Sequence, residues 1–264
     1  MQDRYETILV ARHGAHVATV TLNRPEARNA LDTQMALDLV DVFESVATDP
    51  GDLRAIVLTG AGDKAFCAGG DLKERRGMSD REWGLQHLVF ERMARALIAC
   101  PVPLIGAVNG AAFGGGCEIA SACDFLYAAR GARFAQPEVG LGIIPGAGGT
   151  QHLPRAVGRR RALELILTGR PFGAEEAMAW GLVNAVFDPA ELMPVALAAA
   201  EAIARNAPVA TRQAKQAVVR GLSMSLADGM AFEIEAYNRC IPTEDRREGV
   251  NAFNERRPAR FTGR

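Results

Sequence analysis

Apolar and polar residues repeat with two different periods along the first part of the chain. Residues 16–23 (HVATVTLN) alternate and are rich in β-branched side chains, which predicts a strand that ends before Pro25. Residues 31–49 place apolar side chains at helical spacing and carry an aspartate near their start that can cap a helix. Residues 53–60 (LRAIVLTG) form a continuous apolar run, which is typical of a strand buried on both faces.

The alternation of strands and helices continues toward the carboxyl terminus. Residues 79–99 have a helical pattern, and residues 102–110 read as a buried strand that leads into a glycine-rich segment. Residues 123–130 and 181–188 predict two short strands, and from about residue 191 the pattern is helical alone. This order indicates an α/β fold with a helical carboxyl-terminal region.

Composition and charge narrow the classes of partner. Hydrophobic residues make up 48% and charged residues 23% of the chain, with a formal net charge of -1. This balance argues against nucleic acid or an anionic membrane as a partner, and the basic runs 73–76 and 159–161 are typical of solvated helix faces. No stretch approaches the roughly 20 apolar residues of a membrane span. Residues 1–10 lack the pattern of a signal peptide.

The cysteines and histidines do not have the spacing of a metal site. The five cysteines form no CxxC pair and the four histidines are scattered, so no tetrahedral metal site is expected. An odd number of cysteines in apolar surroundings predicts reduced, buried thiols and a cytoplasmic location. Cys67 and Cys117 stand in the glycine motifs, but neither motif holds a histidine that could activate a nucleophilic thiol.

Residues 109–124 (NGAAFGGGCEIASACD) place three glycines before a cysteine and a glutamate. If a helix begins near Gly115, its first N–H groups are unpaired and favour negative charge, and glycine lets a ligand oxygen approach them. Glu118 then lies about one turn further along nearly the same face. The segment can therefore supply a donor for an oxyanion and a nearby carboxylate. Close packing of a helix start would require similar residues.

Two further segments combine glycine backbone with polar groups. Residues 65–74 (AFCAGGDLKE) follow a buried strand and expose Gly69 and Gly70, so two loops can bring two N–H donors to one oxygen. Residues 135–149 (AQPEVGLGIIPGAGG) place Glu138 beside more glycines. A nucleotide site is not indicated, because no GxGxxG follows the first strand and the ending of a Walker motif is absent.

Several motifs occur together in one order. They are NRPEARNAL, AFCAGGDLKE, NGAAFGGGCEIASACD, QPEVGLGIIPGAGGTQHLPR, AxxxGLVN and DRREGVNAFNERRPARF. Between about Val10 and Phe261 the chain thereby resembles the enoyl-CoA hydratase/isomerase (crotonase) family. The resemblance implies a crotonase-like spiral of ββα units in residues 1–195. It also implies a helical oligomerisation region in residues 196–264 that builds homotrimers, usually paired into homohexamers.

The resemblance also implies roles for particular residues. The expected catalytic residues are Gly70 and Gly115 as amide donors to the thioester oxygen, Glu118 to activate water, Glu138 to protonate Cα, and Gly146 to hold the water. The expected contacts to coenzyme A are Ala68 to the adenine, Lys73, Arg28 and Arg256 to the phosphates, and Tyr237 from a neighbouring subunit. No metal and no cofactor beyond the coenzyme A moiety of the substrate is expected.

The pair of glutamates favours hydration of enoyl-CoA over other reactions on this scaffold. Because two acids in one dry pocket repel, one is expected to have a raised pKa. A Δ3-Δ2 enoyl-CoA isomerase, which needs one carboxylate, is the alternative, and a thioester hydrolase is less favoured. Residues 70–82 resemble methylglutaconyl-CoA hydratases, some of which bind RNA, and this similarity also fits a branched or acidic acyl group. The net charge of -1 argues against an RNA partner.

The acyl group of the substrate is expected to contact two segments of the protein. We expect about residues 76–90 and the carboxyl-terminal helices to line the acyl pocket. Four other residues, His152, Trp83, Trp180 and Phe113, are interpreted as packing or rim residues.

Overall fold

The computed structural model describes residues 5–264, which fold into strands and helices in alternation. The strands are β1 (Ile8–His13), β2 (Val17–Leu22), β3 (Ala55–Gly60), β4 (Ala65–Cys67), β5 (Leu104–Val108), β6 (Ala111–Phe113), β7 (Phe125–Ala129), β8 (Arg133–Ala135), β9 (Phe172–Gly173) and β10 (Ala185–Phe187). The helices are α1 (Thr33–Thr48), α2 (Leu72–Arg75), α3 (Asp80–Ala99), α4 (Gly115–Ala122), α5 (Gly149–Val157), α6 (Arg159–Thr168), α7 (Ala174–Ala179), α8 (Pro189–Ala204), α9 (Pro208–Gly221), α10 (Leu226–Asn238) and α11 (Glu244–Asn254). Short 3₁₀ helices cover Pro25–Ala27 and Glu138–Leu141.

The strands form two sheets, and successive strands from β3 to β8 belong alternately to the larger and the smaller sheet. The larger sheet has the order β1-β2-β3-β5-β7-β10, and the smaller has the order β4-β6-β8-β9. In the larger sheet β1 and β2 are antiparallel and the other neighbours are parallel. Each of the pairs β3–β4, β5–β6 and β7–β8 gives one strand to each sheet before a helix follows. This repeat is the spiral of ββα units, and the predicted fold class is confirmed.

The larger sheet is covered on both faces. All six residues of β3 are buried, as the continuous apolar run predicts. One side of this strand contributes Ile56 and Leu58 to the core that contains Phe43 of α1. The other side contributes Val57 to a core that contains Ala196 of α8.

The long elements and the short strands β7 and β10 agree with the prediction, whereas the strands of the smaller sheet were not predicted. Helix α3 begins where expected, since Ser79 and Glu82 form a reciprocal capping box at its start. Helix α1 is capped by Asp32, which accepts the N–H of Met35 at 2.8 Å. The strands of the smaller sheet contain only two or three residues each, which is too few for a period to be visible.

The carboxyl-terminal part is helical, as the pattern predicts. Helices α9 and α10 pack against each other, with Gly229 and Gly221 in close approach. The expected boundary between residues 195 and 196 lies inside α8, whose buried alanines pack on the larger sheet. The division into a catalytic core and an oligomerisation region therefore stays a prediction.

The length and the apolar character of the helices in residues 5–264 decide whether any of them can cross a bilayer. Within this range no helix combines the length and the apolar character that crossing a membrane requires. The prediction about a signal peptide concerns residues 1–10, and residues 1–4 lie outside the described part of the chain.

Candidate active site

A cavity of about 720 Å³ opens beside the ends of the smaller sheet. Its walls come from the loops that follow β4, β6 and β8 and from one face of α3. Strands β4, β6 and β8 are parallel neighbours, so the loops at their carboxyl ends meet at one edge. The fold thus brings the three glycine-containing segments of the sequence to one place.

The loop after β4 is fixed to the segment before α1 by backbone hydrogen bonds. The N–H of Leu31 donates to the carbonyl of Gly69 at 2.8 Å, and the N–H of Asp71 donates to the carbonyl of Leu31 at 2.8 Å. These bonds use the residues on either side of Gly70. The amide of Gly70 itself has no acceptor in the described part of the chain.

A second amide lies next to that of Gly70. Gly115 is the first residue of α4, so its N–H has no acceptor one turn earlier in the helix. A Cβ placed on Gly115 would lie only 3.9 Å from the nitrogen of Gly70, which shows how closely the two backbones approach. Both amides border the cavity. The structure therefore brings the two expected donors together.

Both donors follow a glycine with positive φ. Gly69 has φ of 94° and Gly114 has φ of 52°, a region that residues with a Cβ rarely adopt. A Cβ on Gly69 would also lie 2.8 Å from the carbonyl oxygen of Phe113. Positive φ at these two positions thus directly precedes the two glycines whose backbone borders the cavity.

Gly116, the last of the three consecutive glycines, has a packing role. A Cβ on Gly116 would lie 2.1 Å from the carbonyl oxygen of Cys67 in β4. Such a contact is impossible, so α4 packs on the strand only because this side chain is absent. The run of glycines thus combines close packing at Gly116 with the donor geometry of Gly114 and Gly115.

Glu118 is buried in the first turn of α4 and borders the cavity. Its Oε1 accepts the N–H of Ala147 at 2.7 Å and the N–H of Gly149 at 2.8 Å. Burial raises the pKa of this carboxyl above its ordinary value, while the two hydrogen bonds act in the opposite direction. The backbone amide of Gly146 also lies near this carboxyl and acts on its pKa in the same direction as the two hydrogen bonds.

Glu138 begins the 3₁₀ helix Glu138–Leu141 and borders the same cavity. Burial raises its pKa to about 7, and the charge of Glu118 adds to this effect. The buried Gln136, with its amide nitrogen turned toward Glu138, can donate to both carboxylate oxygens at 3.1 and 3.2 Å. The two acids thus differ, since Glu118 is held by backbone amides and Glu138 keeps a proton near neutral pH.

Gly146 borders the cavity beside Glu118 and contacts a histidine that the sequence did not indicate. A Cβ on Gly146 would lie 2.4 Å from Cε1 of His87, so the imidazole rests directly on this backbone. His87 Nε2 lies 3.6 Å from a carboxylate oxygen of Glu91. The charge of His87 acts on Glu118 in the direction of a lower pKa.

Only some of the residues expected to contact coenzyme A lie near the cavity of the single chain. Ala68 borders the cavity and donates its N–H to the carbonyl of Arg28 at 3.1 Å. The side chains of Arg28 and Lys73 are exposed near this loop. Tyr237 and Arg256 are exposed on the carboxyl-terminal helices and do not border the cavity. The roles of these residues stay predictions.

Helix α3 supplies part of the expected acyl pocket, through Trp83 and Phe90 among others. In the described residues, the carboxyl-terminal helices of this chain contribute nothing to the cavity lining. The sequence did not indicate Arg75, whose guanidinium lies 4.2 Å from the ring centre of Trp83 and borders the cavity. Arg75 belongs to the basic run 73–76, and the sequence gives no sign that it differs from the others. In the structure it is half-buried, whereas Lys73 and Arg76 are exposed.

The cysteines near the site are not poised as nucleophiles. Burial raises the pKa of Cys67 and of Cys117 to about 12, so both remain thiols at neutral pH. Neither borders the cavity.

The whole chain is similar to proteins of known family. A family described as enoyl-CoA hydratase/isomerase matches residues 12–264. The chain is 45% identical to short-chain-enoyl-CoA hydratase of Clostridium acetobutylicum, over 91% of this chain and 92% of that protein. It is 42% identical to (E)-benzylidenesuccinyl-CoA hydratase of Thauera aromatica, over 94% and 96% of the two chains. The crystal structure of an enoyl-CoA hydratase from Bacillus anthracis is similar with a TM-score of 0.96, at 41% identity, over 98% of this chain and 100% of that chain.

Proposed function

Because the chain belongs to the enoyl-CoA hydratase/isomerase family, we propose that it adds water across the α,β double bond of an enoyl-CoA thioester. The product is a 3-hydroxyacyl-CoA. The observation that carries this proposal is the meeting of two free amides and two dissimilar glutamates in one cavity.

The amides of Gly70 and Gly115 are the groups that stabilise charge. When water attacks Cβ, the electrons of the double bond move toward the thioester and negative charge develops on its oxygen. Two fixed N–H donors stabilise that charge, and the loss of one such donor typically costs about 3–4 kcal/mol. Because both are backbone amides beside glycines, the substrate oxygen meets no Cβ as it approaches.

The two glutamates divide the proton transfers. Glu118 takes a proton from water as its oxygen bonds to Cβ, with Oε1 fixed by Ala147 and Gly149. Glu138, whose pKa is about 7, gives its proton to Cα as the enolate collapses. Return of one proton from Glu118 to Glu138 restores the site. The amide of Gly146, on the wall beside Glu118, is placed to orient the water.

The proposal also covers the binding of the coenzyme A part of the substrate and the oligomeric state of the protein. The loop at Ala68 would hold the adenine of coenzyme A, with Lys73 and Arg28 near its phosphates. Tyr237 and Arg256 would reach the site of a neighbouring subunit in a homotrimer or homohexamer. This chemistry requires no metal and no redox cofactor.

A methylglutaconyl-CoA hydratase-like activity on an acidic acyl group is the second candidate. The relative from Thauera aromatica is named for a benzylidenesuccinyl thioester, and a succinyl group bound as a thioester retains one free carboxylate. Such a substrate would undergo the same addition of water. It is therefore a question of specificity within the same reaction.

The test uses the absorbance of the conjugated thioester. We expect the purified protein to hydrate crotonyl-CoA or 3-methylglutaconyl-CoA, and we expect Glu118→Gln and Glu138→Gln each to lower the rate by about 10²-fold or more. Glu201→Gln, which changes an exposed glutamate of α8, is the matched control and should keep the parent rate.

Two outcomes would reject the assignment. Full activity in either active-site variant would remove the role given to that acid. Conversion of 3-butenoyl-CoA without any hydration of crotonyl-CoA would identify an isomerase instead.

A further inference from the structure

Arg75 is held rigidly in the wall of the cavity. Its guanidinium lies 4.2 Å from the ring centre of Trp83 and 5.0 Å from that of Phe90. Its Nε donates to Oε1 of Gln86 at 2.7 Å. Stacking and this hydrogen bond fix the plane of the guanidinium before any ligand arrives.

Gln86, which accepts the hydrogen bond from Arg75, is itself held by two further hydrogen bonds. Its amide nitrogen donates to Oε2 of Glu74 at 2.7 Å and to Oγ1 of Thr33 at 2.9 Å. Glu74 also accepts the N–H and the hydroxyl of Thr33. The carboxylate next to Arg75 in sequence is therefore engaged elsewhere and makes no salt bridge with it.

The guanidinium forms no salt bridge in the described chain, although the charge of the neighbouring Glu74 acts to raise its pKa. Among residues 5–264, Arg75 has no salt bridge and its two terminal nitrogens have no hydrogen-bond acceptor. The group is half-buried between apolar rings, and this burial lowers its pKa. A partly desolvated cation with two free donor nitrogens is a costly arrangement unless an anion binds it.

We propose that Arg75 binds a carboxylate carried by the acyl group, so that this site prefers enoyl thioesters with a second, free carboxylate. This inference rests on the proposed function, since it specifies the acyl group within the same cavity. A planar guanidinium with two unused N–H groups matches a carboxylate in a two-point contact.

The position of Arg75 distinguishes an acyl carboxylate from a phosphate of coenzyme A. Its guanidinium carbon lies 3.5 Å from the place that a Cβ on Gly70 would occupy, next to the proposed oxyanion donors. The phosphates of coenzyme A are separated from the thioester by the whole pantetheine arm. An anion that reaches Arg75 while the thioester oxygen meets Gly70 must therefore belong to the acyl group.

No acidic residue of the cavity, within the described chain, forms a salt bridge that would neutralise Arg75. The other charged residues bordering the cavity in the described chain are His87, Glu118 and Glu138. Glu118 is bound by two backbone amides, and Glu138 is partly neutral near pH 7. Neither forms a salt bridge with Arg75, and both repel an incoming carboxylate. Arg75 is the one arginine or lysine of the cavity lining, within the described residues, that can offset this repulsion.

The test measures binding of two unreactive saturated thioesters by calorimetry. Glutaryl-CoA and valeryl-CoA have acyl groups of the same carbon number, and only the former ends in a carboxylate. We expect the parent protein to bind glutaryl-CoA about tenfold or more tightly than valeryl-CoA, and Arg75→Met to abolish this preference, in line with the loss of one partner of a desolvated ion pair. Arg75→Lys should keep part of the preference, because it keeps the charge and loses the planar fork.

Arg76→Met is the matched control, since this neighbouring arginine is exposed and lies outside the cavity. It removes the same charge and should leave the preference unchanged. The proposal is overturned if the parent shows no preference for glutaryl-CoA. It is equally overturned if Arg75→Met weakens both thioesters by the same factor, or if Arg76→Met abolishes the preference as well.

The binding experiment separates this inference from the proposed reaction. A preference for glutaryl-CoA that depends on Arg75, in a protein that hydrates no enoyl thioester, would support the carboxylate site and reject the hydratase. Hydration of crotonyl-CoA by a protein without the preference would support the hydratase and reject the carboxylate site.

Discussion

At the scale of single residues, the site depends on where side chains are absent as much as on where they are present. Gly69 and Gly114 adopt positive φ, and each precedes a free amide. Gly116 lets α4 lie against Cys67. Glu118 and Glu138 then border one cavity with different surroundings. The properties of the site therefore depend on the backbone geometry at the glycines and on the different surroundings of the two buried carboxyls.

The pKa of Glu138 gives a prediction about stability. The folded protein holds this proton up to about pH 7, whereas an ordinary glutamate releases it near 4.5. Between these values the folded state binds more protons than the unfolded state, so the free energy of unfolding falls as pH rises. Glu138→Gln removes this contribution, which amounts to at most about 3 kcal/mol over that interval.

Urea unfolding of parent and Glu138→Gln at a series of pH values measures the effect. We expect the parent to lose stability relative to the variant between about pH 4.5 and 7, and the two curves to run parallel above it. Glu201→Gln should run parallel to the parent throughout. Parallel curves for Glu138→Gln over the whole range would show that the carboxyl is not held protonated.

The acids and the glycine loops could be predicted from sequence, because each stands in a short motif and the motifs together resemble those of one family. Gly70, Gly115, Glu118 and Glu138 indeed border one cavity. The unpaired guanidinium donors of Arg75 could not be predicted in the same way. Their environment depends on α3 packing against α2, which brings Trp83 beside Arg75.

At the scale of elements, Arg24 connects the segment before α1 with the loop that carries Gly70. Its guanidinium forms salt bridges with Asp32 at 3.2 Å and Asp71 at 3.0 Å, and donates to the carbonyl of Ala30 at 2.6 Å. Asp71 in turn caps α2 by accepting the N–H groups of Lys73 and Glu74. The position of Gly70, the first of the two proposed oxyanion donors, therefore depends on this arginine.

We expect Arg24→Met to destabilise the protein by about 2 kcal/mol, somewhat less than the loss of a partner from a fully buried pair. It should also lower the hydration rate, because the loop before Asp71 loses its support. Arg130→Met is the control, since its salt bridges with Glu175 and Asp188 are exposed and screened by solvent, so its loss should destabilise the protein less than that of Arg24. Chemical denaturation of both variants measures the difference, and equal effects would contradict it.

The long elements were predictable because each spans several periods of its pattern. Strand β3 and helix α3 lie where the apolar spacing places them. The smaller sheet was not predictable by this route, since strands such as β4 and β6 contain three residues each. Their positions follow from pairing between distant segments, which a local pattern does not contain.

At the scale of the whole molecule, the carboxyl-terminal helices carry an apolar surface that the single chain leaves open. Leu222 is 80% exposed, Leu226 is 82% exposed and Phe253 is 84% exposed. Exposed side chains of this size mark interaction surfaces when they cluster. The family resemblance led us to predict homotrimers, and this surface is consistent with that prediction.

Light scattering coupled to gel filtration tests the assembly. We expect the parent to be a trimer or hexamer, and Leu226→Asp to shift it toward smaller species because a carboxylate would be buried in the interface. Leu9→Asp, which changes a leucine that is 53% exposed on β1, is the control and should not alter the assembly. A monomeric parent would reject the prediction.

Addition of water across the conjugated thioester is the central proposed step, and one isotope experiment measures it directly. Crotonyl-CoA is incubated with the protein in H₂¹⁸O and D₂O, and the products are analysed by mass spectrometry. We expect one ¹⁸O at C3 and one deuterium at C2, with the thioester intact. Deuterium without ¹⁸O, or ¹⁸O in a released free acid, would contradict it.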